Sequence, residues 1–130
     1  MIHTTKKDFR VIIAGGRDFS DYVLMCRTMD TLLSNISKDT DIVIVCGMAR
    51  GADTLGDRYA KDRNYKVNYF PADWNTYGKA AGYKRNEQMA QNADALVAFW
   101  DGKSRGTKHM IDLARKYRLR VRIRYYGGTI

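Results

Sequence analysis

Residues 9–16, FRVIIAGG, form a short apolar run that closes on two glycines. An unbroken run of this kind, without polar alternation, reads as a strand buried on both faces and followed by a tight turn. The signature returns in DIVIVCG (residues 41–47) and in DALVAFWDG (residues 94–102). KVNYFPADW (residues 66–74) is a further strand expected to end near Pro71, the only proline in the chain. Between these runs the periodicity changes. From about Ser20 to Asn35 the apolar positions Tyr22, Met25, Cys26, Met29 and Leu32 fall on one face of a helix. ARGADTLGDRYAKDRN (49–64), the stretch through Asn92 and GTKHMIDLARKYR (106–118) read as three more helices.

RLRVRIRYY (118–126) alternates strictly, with Leu119, Val121, Ile123 and Tyr125 on one face and Arg118, Arg120, Arg122 and Arg124 on the other. That is the period of an edge strand with one face in solvent, and its charges discourage unwanted strand pairing. Strand and helix in regular succession predict one α/β domain over residues 1–130. Its core would be a Rossmann-like, open, mainly parallel five-stranded sheet with helices on both faces.

The chain has 130 residues, 45% of them hydrophobic and 28% charged, enough for a real core and unlike a disordered polymer. No apolar run approaches the roughly 20 residues that span a bilayer, and the start, MIHTTKKDFRVIIAGG, reads as no signal peptide. Cys26 and Cys46 stand alone in apolar settings, which suits reduced thiols in a cytoplasmic protein. A formal charge of +9 favours phosphorylated or polyanionic partners.

The glycines carry the functional signal. AGGRD (14–18), CGMARGAD (46–53) and DGKSRGTK (101–108) each follow the C-terminal end of a predicted strand, and YGKAAGYKRN (77–86) leads into a helix. Ligands of open parallel sheets bind at that edge, and helix-opening amides suit phosphate. The loops supply cations as well: Arg17, Arg50, Lys79, Arg85, Lys103, Arg105 and Lys108. The expected phosphate-holding residues are therefore Gly15, Gly16 and Arg17; Gly47, Arg50 and Gly51; Lys79, Arg85 and Asn86; and Asp101, Gly102, Ser104, Gly106 and Thr107. Trp74, Tyr77 and Trp100 are candidates to stack a base. Neither a G-x-G-x-x-G fingerprint nor a Walker A sequence is present, which disfavours an ordinary dehydrogenase or a P-loop NTPase. His3 and His109 lie far apart and no carboxylates stand at ligand spacing, so neither a metal nor a cofactor is expected.

Taken together, VIIAGGRDFSDY, CGMARGAD, PADWNTYGKAAGYKRNEQM and ADALVAFWDGKSRGTKHMI resemble the SLOG superfamily, named for the Smf/DprA and LOG proteins. The closest branch is the stand-alone, YspA-like one found in bacteria and their phages. The resemblance runs from about Arg10 to Ile123 and implies a nucleotide-derived ligand above the glycine loops. LOG enzymes cleave nucleoside 5′-monophosphates with an R-K-x-x-M segment and with P-G-G-x-G-T followed, after one residue, by Glu. Here Arg85 and Met89 match, Asn86 replaces Lys, and His109 stands where the Glu belongs. Cleaving an N-glycosidic bond calls for a carboxylate, so Asp18, Asp53 or His109 would have to substitute, beside Arg85.

Three readings follow. The first is a sensor or sequestering protein for a nucleotide-derived small molecule. The second is a LOG-like phosphoribohydrolase. The third is a DprA-like binder of single-stranded nucleic acid. The resemblance also implies a homo-oligomer.

Overall fold

The computed structural model describes residues 7–127; His3 lies outside them. The elements run β1 (Lys7–Gly15), α1 (Tyr22–Leu33), β2 (Thr40–Cys46), α2 (Ala52–Asp62), β3 (Lys66–Tyr69), α3 (Trp74–Tyr77), a 3₁₀ turn (Gly78–Ala80), α4 (Ala81–Gln91), β4 (Ala95–Trp100), α5 (Arg105–Lys116) and β5 (Arg120–Tyr125). The five strands form one sheet in the order β3-β2-β1-β4-β5. Every neighbouring pair is parallel, so the expected sheet is parallel throughout.

Apolar side chains of alternating direction divide the core in two. On one face Val11, Ile13, Ile44, Val97 and Phe99 pack against Met25, Met29 and Leu33 of α1 and Tyr59 of α2. On the other, Ile12, Ala14, Val45, Leu96 and Ala98 meet Met89 of α4 and Met110, Ile111 and Leu113 of α5. This double cover is why β1, β2 and β4 read as continuous apolar runs. Among the described residues no helix is long and apolar enough to cross a membrane.

The third strand is shorter than the sequence suggested. It stops at Tyr69; Phe70 still donates to the Cys46 carbonyl at 2.8 Å, but Pro71 has no N–H to extend the ladder. Asp73 then caps the short helix α3, accepting from Thr76 N at 3.1 Å. At the opposite edge, Arg118 sits in the turn before β5 with φ 61°, so the strand itself carries three of the four arginines. Val121 and Ile123 pack into the α5-side core. Arg122 and Arg124 instead border a separate groove of about 380 Å³ beside Leu24, Arg27 and Leu32 of α1.

The base of the central strand pair is clamped. Asp94 Oδ2 accepts from Arg10 N at 2.8 Å and from Arg10 Nε at 3.3 Å, and Oδ1 accepts from Nη2 at 3.3 Å. Burial pushes the Asp94 carboxyl up, but these bonds outweigh it and hold the carboxyl below its ordinary range.

Candidate functional site

From β1 the chain winds outward to β2 and β3, then crosses back to lay β4 on the other side of β1 and β5 beyond it. The C-terminal ends of β1 and β4 are thus the point where the winding reverses, and a crevice opens there. It holds about 450 Å³. Gly15, Gly16, Arg17 and Asp18 line it from the end of β1 and its loop, Asp101 and Ser104 from the β4–α5 loop, and Gly106 and Thr107 from the first turn of α5. Asp53 of α2 and Arg85 and Asn86 of α4 complete the polar wall; Ala14, Met89 and Met110 add apolar surface.

Two glycines make the crevice possible by backbone contact. A Cβ on Gly15 would stand 2.2 Å from the Phe99 carbonyl oxygen, so β1 and β4 could not come together there with a side chain in between. Gly51 has φ +76°, and a Cβ on it would stand 2.2 Å from Gly16 O. That oxygen accepts from both Ala52 N and Phe19 N at 3.2 Å, tying the β1 loop to the start of α2. No side chain caps α2, whereas Asp21 caps α1, accepting from Leu24 N at 3.0 Å. Neither Asp18 nor Asp53 caps a helix. Asp18 accepts a hydrogen bond from the Tyr126 hydroxyl at 2.6 Å.

The last loop is built by its own side chains. Asp101 Oδ1 accepts from Ser104 N and Lys103 N, both at 2.8 Å, and these bonds hold its carboxyl below the usual range. Ser104 in turn caps α5, accepting from Thr107 N at 3.5 Å and from the Thr107 hydroxyl at 3.1 Å. The Trp100 indole donates to Ser104 O at 3.1 Å, and its ring lies 5.8 Å from that of Tyr125. It braces the loop and does not line the crevice.

Arg85 reaches across to β2, donating through Nη1 to the Gly47 carbonyl. Gly47 leaves the room: a Cβ there would fall 2.8 Å from Asp53 Oδ2 and 3.0 Å from Arg85 Nη1. Arg85 Nε also donates to Asn86 Oδ1 at 3.0 Å. Asn86 Nδ2 lies 3.5 Å from Gly106 O and 3.2 Å from Nδ1 of His109. Burial holds the His109 imidazole below its ordinary pKa, and its ring packs edge-on to Tyr83 at 4.4 Å. Asp53 is 6% exposed, and burial pushes its carboxyl up to about 6, against the opposing effects of the Ala49 amide at 3.2 Å and the nearby Arg85 charge.

A second hollow of about 250 Å³ adjoins the first through four common residues, Arg17, Arg85, Asn86 and Gly106. Trp74, Lys79, Gly82 and Tyr83 enclose its far side. Of the three stacking candidates Trp74 lines the second hollow and the other two line neither; Tyr77 lies under the Lys84 ammonium, 4.7 Å from its ring centre. Arg50, Gly102, Lys103, Arg105, Lys108 and His109 line neither, and Lys108 pairs with Asp112 at 2.7 Å. Gly82, Tyr83 and Met110 were not singled out by the sequence reading, although Gly82 lies on one helical stripe with Arg85, Asn86 and Met89. Among the described residues no group of three or more His, Cys, Asp or Glu could hold a metal ion.

The family described as "YspA, cpYpsA-related SLOG family" matches this chain over residues 9–77. The Gene 61 protein of Mycobacterium phage D29 is 38% identical over 114 residues, covering 82% of this chain and 89% of the relative. Among solved structures, DNA processing protein A (DprA) from Streptococcus pneumoniae superposes with a TM-score of 0.66 at 16% identity. That superposition covers 96% of this chain and 52% of DprA, so the chain spans about half the length of that relative, and the likeness is one of fold. A predicted subunit of a tRNA methyltransferase from Methanocaldococcus jannaschii aligns more loosely, with a TM-score of 0.43.

Proposed function

The chain belongs to the YspA, cpYpsA-related SLOG family, and from that premise we propose that it binds a phosphorylated, nucleotide-derived ligand in the crevice between the ends of β1 and β4, as a sensor or sequestering protein. The observation that carries the reading is Gly106. Its φ lies outside the left-handed region, and a Cβ there would meet nothing within 4 Å. Neither backbone conformation nor packing calls for glycine, and glycine in a helix costs about 1 kcal/mol relative to alanine. Yet Gly106 stands in the first turn of α5 and on both hollows. A bare Cα at that point admits a ligand to the helix-opening amides, between the guanidinium groups of Arg17 and Arg85.

The test is binding by wild type and Gly106→Leu to a panel of nucleoside mono- and diphosphates, NAD, ADP-ribose and cyclic nucleotides, with mass spectrometry on what is retained. One ligand held intact by wild type and lost in Gly106→Leu, with the melting temperature of the variant preserved, is the expected result. Failure of wild type to hold any member of the panel would sink the reading.

Asp53 supports a second reading, hydrolysis of an N-glycosidic bond. Of the candidate acid–base groups on the crevice it is the one whose carboxyl is raised to about 6, near the pH at which a general acid or base works best. Water would add at C1′ of the ribose, and the departing base would take up a proton. Free base and ribose 5-phosphate in the same mass spectra, absent with Asp53→Asn, would establish it. The nucleic-acid reading rests on the +9 charge and the β5 arginines, whose groove shares no residue with the crevice.

A further inference from the structure

The two hollows differ in chemistry, and their common wall carries two of the three cations that line them, Arg17 and Arg85. Beyond that wall the larger hollow carries Asp18, Asp53 and Asp101 and no further cation. The smaller one carries Lys79 and two half-exposed aromatic rings, Trp74 (55%) and Tyr83 (50%), and no carboxylate. Arg17, Arg85 and the bare Gly106 belong to both. A phosphate gripped by Arg17 and Arg85 at Gly106 therefore sits where the two hollows join, with room on either side.

A terminal phosphate monoester would use only half of this arrangement. With its nucleoside in the larger hollow, the Trp74 and Tyr83 rings would cover nothing; with its nucleoside in the smaller, the carboxylates would face an empty space. Carboxylates accept hydrogen bonds, so the larger hollow suits the hydroxyls of a ribose or the amino group of a base, with Met89 and Met110 as apolar surface. Flat exposed rings beside a cation suit a second ring system.

Building on the nucleotide reading above, we infer that the ligand carries its phosphate internally: a phosphate-bridged molecule of the dinucleotide class, with one nucleoside in the Asp53 hollow and a second ring-bearing end against Trp74.

Calorimetric titration of matched probes tests this. Each of the four nucleoside 5′-monophosphates is compared with its 3′–5′-linked dinucleoside monophosphate, and AMP is also compared with NAD and ADP-ribose. At least one bridged probe should bind tenfold or more tighter than its monophosphate. Trp74→Ala should remove about that tenfold advantage and leave monophosphate affinity unchanged; Trp74 is exposed and lies on a four-residue helix, so folding does not depend on it. Lys79→Ala should act in the same direction. Equal affinity for a monophosphate and all its bridged partners, or an equal loss of both with Trp74→Ala, would overturn the internal-phosphate inference and leave the nucleotide reading standing. Binding of no probe by wild type would overturn both.

Discussion

Asn86 donates its side-chain amide to Nδ1 of His109 at 3.2 Å. The direction follows from its other bond: Arg85 Nε can only donate, so the amide oxygen faces Arg85 at 3.0 Å and the NH₂ faces the imidazole. His109 therefore carries its proton on Nε2, and its Nδ1 lone pair is engaged inside the protein. Burial also lowers its pKa, which favours the neutral ring.

Removing the hub should cost more than removing the support. Asn86→Ala leaves both Arg85 Nε and His109 Nδ1 without their partner in a largely buried place, and should lower stability by about 2 kcal/mol. His109→Phe keeps the edge contact with Tyr83 and should cost under about 1 kcal/mol. Urea denaturation of both variants checks the order.

Gly51→Ala should be among the most damaging small substitutions. It combines a left-handed backbone at φ +76° with a Cβ 2.2 Å from a carbonyl oxygen that holds two loops together. A loss of about 3 kcal/mol or more is expected, read as a lower denaturation midpoint. Gly106→Ala should instead be neutral or stabilising by up to about 1 kcal/mol, since the new methyl meets nothing.

Asp53 makes stability fall as pH rises. Its folded pKa of about 6 lies above that of an unfolded aspartate, so the native state holds the extra proton between about pH 4 and 6. Above pH 6 the buried charge penalises the fold by roughly 2 to 3 kcal/mol. Asp53→Asn keeps an acceptor for Ala49 N and should be the more stable form at pH 7, with the gap closing by pH 4. Thermal melts over that range decide it.

Asp94 has the opposite sign. Its folded pKa is depressed, so its contribution is present above the ordinary carboxylate range and disappears as pH falls through the folded value. Asp94→Asn should cost about 1 to 2 kcal/mol at pH 7. The difference from wild type should shrink as the pH is lowered through and below the ordinary carboxylate range.

The fold was legible because buried parallel strands leave a plain mark: Val11, Ile12 and Ile13 follow one another without a polar break, and a chain turn follows each such run. The convergence of four glycine loops was equally readable, since parallel strands all end at the same edge. What stayed hidden depends on tertiary neighbours. Tyr126 binds Asp18 across 108 positions of sequence, and no local pattern announces it. Trp100 and Trp74 look alike as aromatics near strand ends, but Trp100 lies on the strand itself and turns its indole to Ser104, while Trp74 lies past Pro71 and projects beside Lys79. Asn86, read as a departure from a lysine motif, turns out to be the joint between Arg85, Gly106 and His109.

The strand order also sets when the crevice comes into being. β1, β2 and β3 can pair in turn with one helix between each, but β1 meets β4 through Val11 and Ala95, across most of the chain. Closing so long a loop costs more entropy than pairing β1 with β2, although that cost grows only logarithmically with length. During synthesis the first half of the sheet can form while the β4 side of β1 is still bare, and at that stage Asn86, Gly106 and Asp101 have no place to converge. Whatever the crevice binds needs the β4–α5 segment in place beside β1. A ligand should therefore slow unfolding and leave the early steps of folding at their own pace.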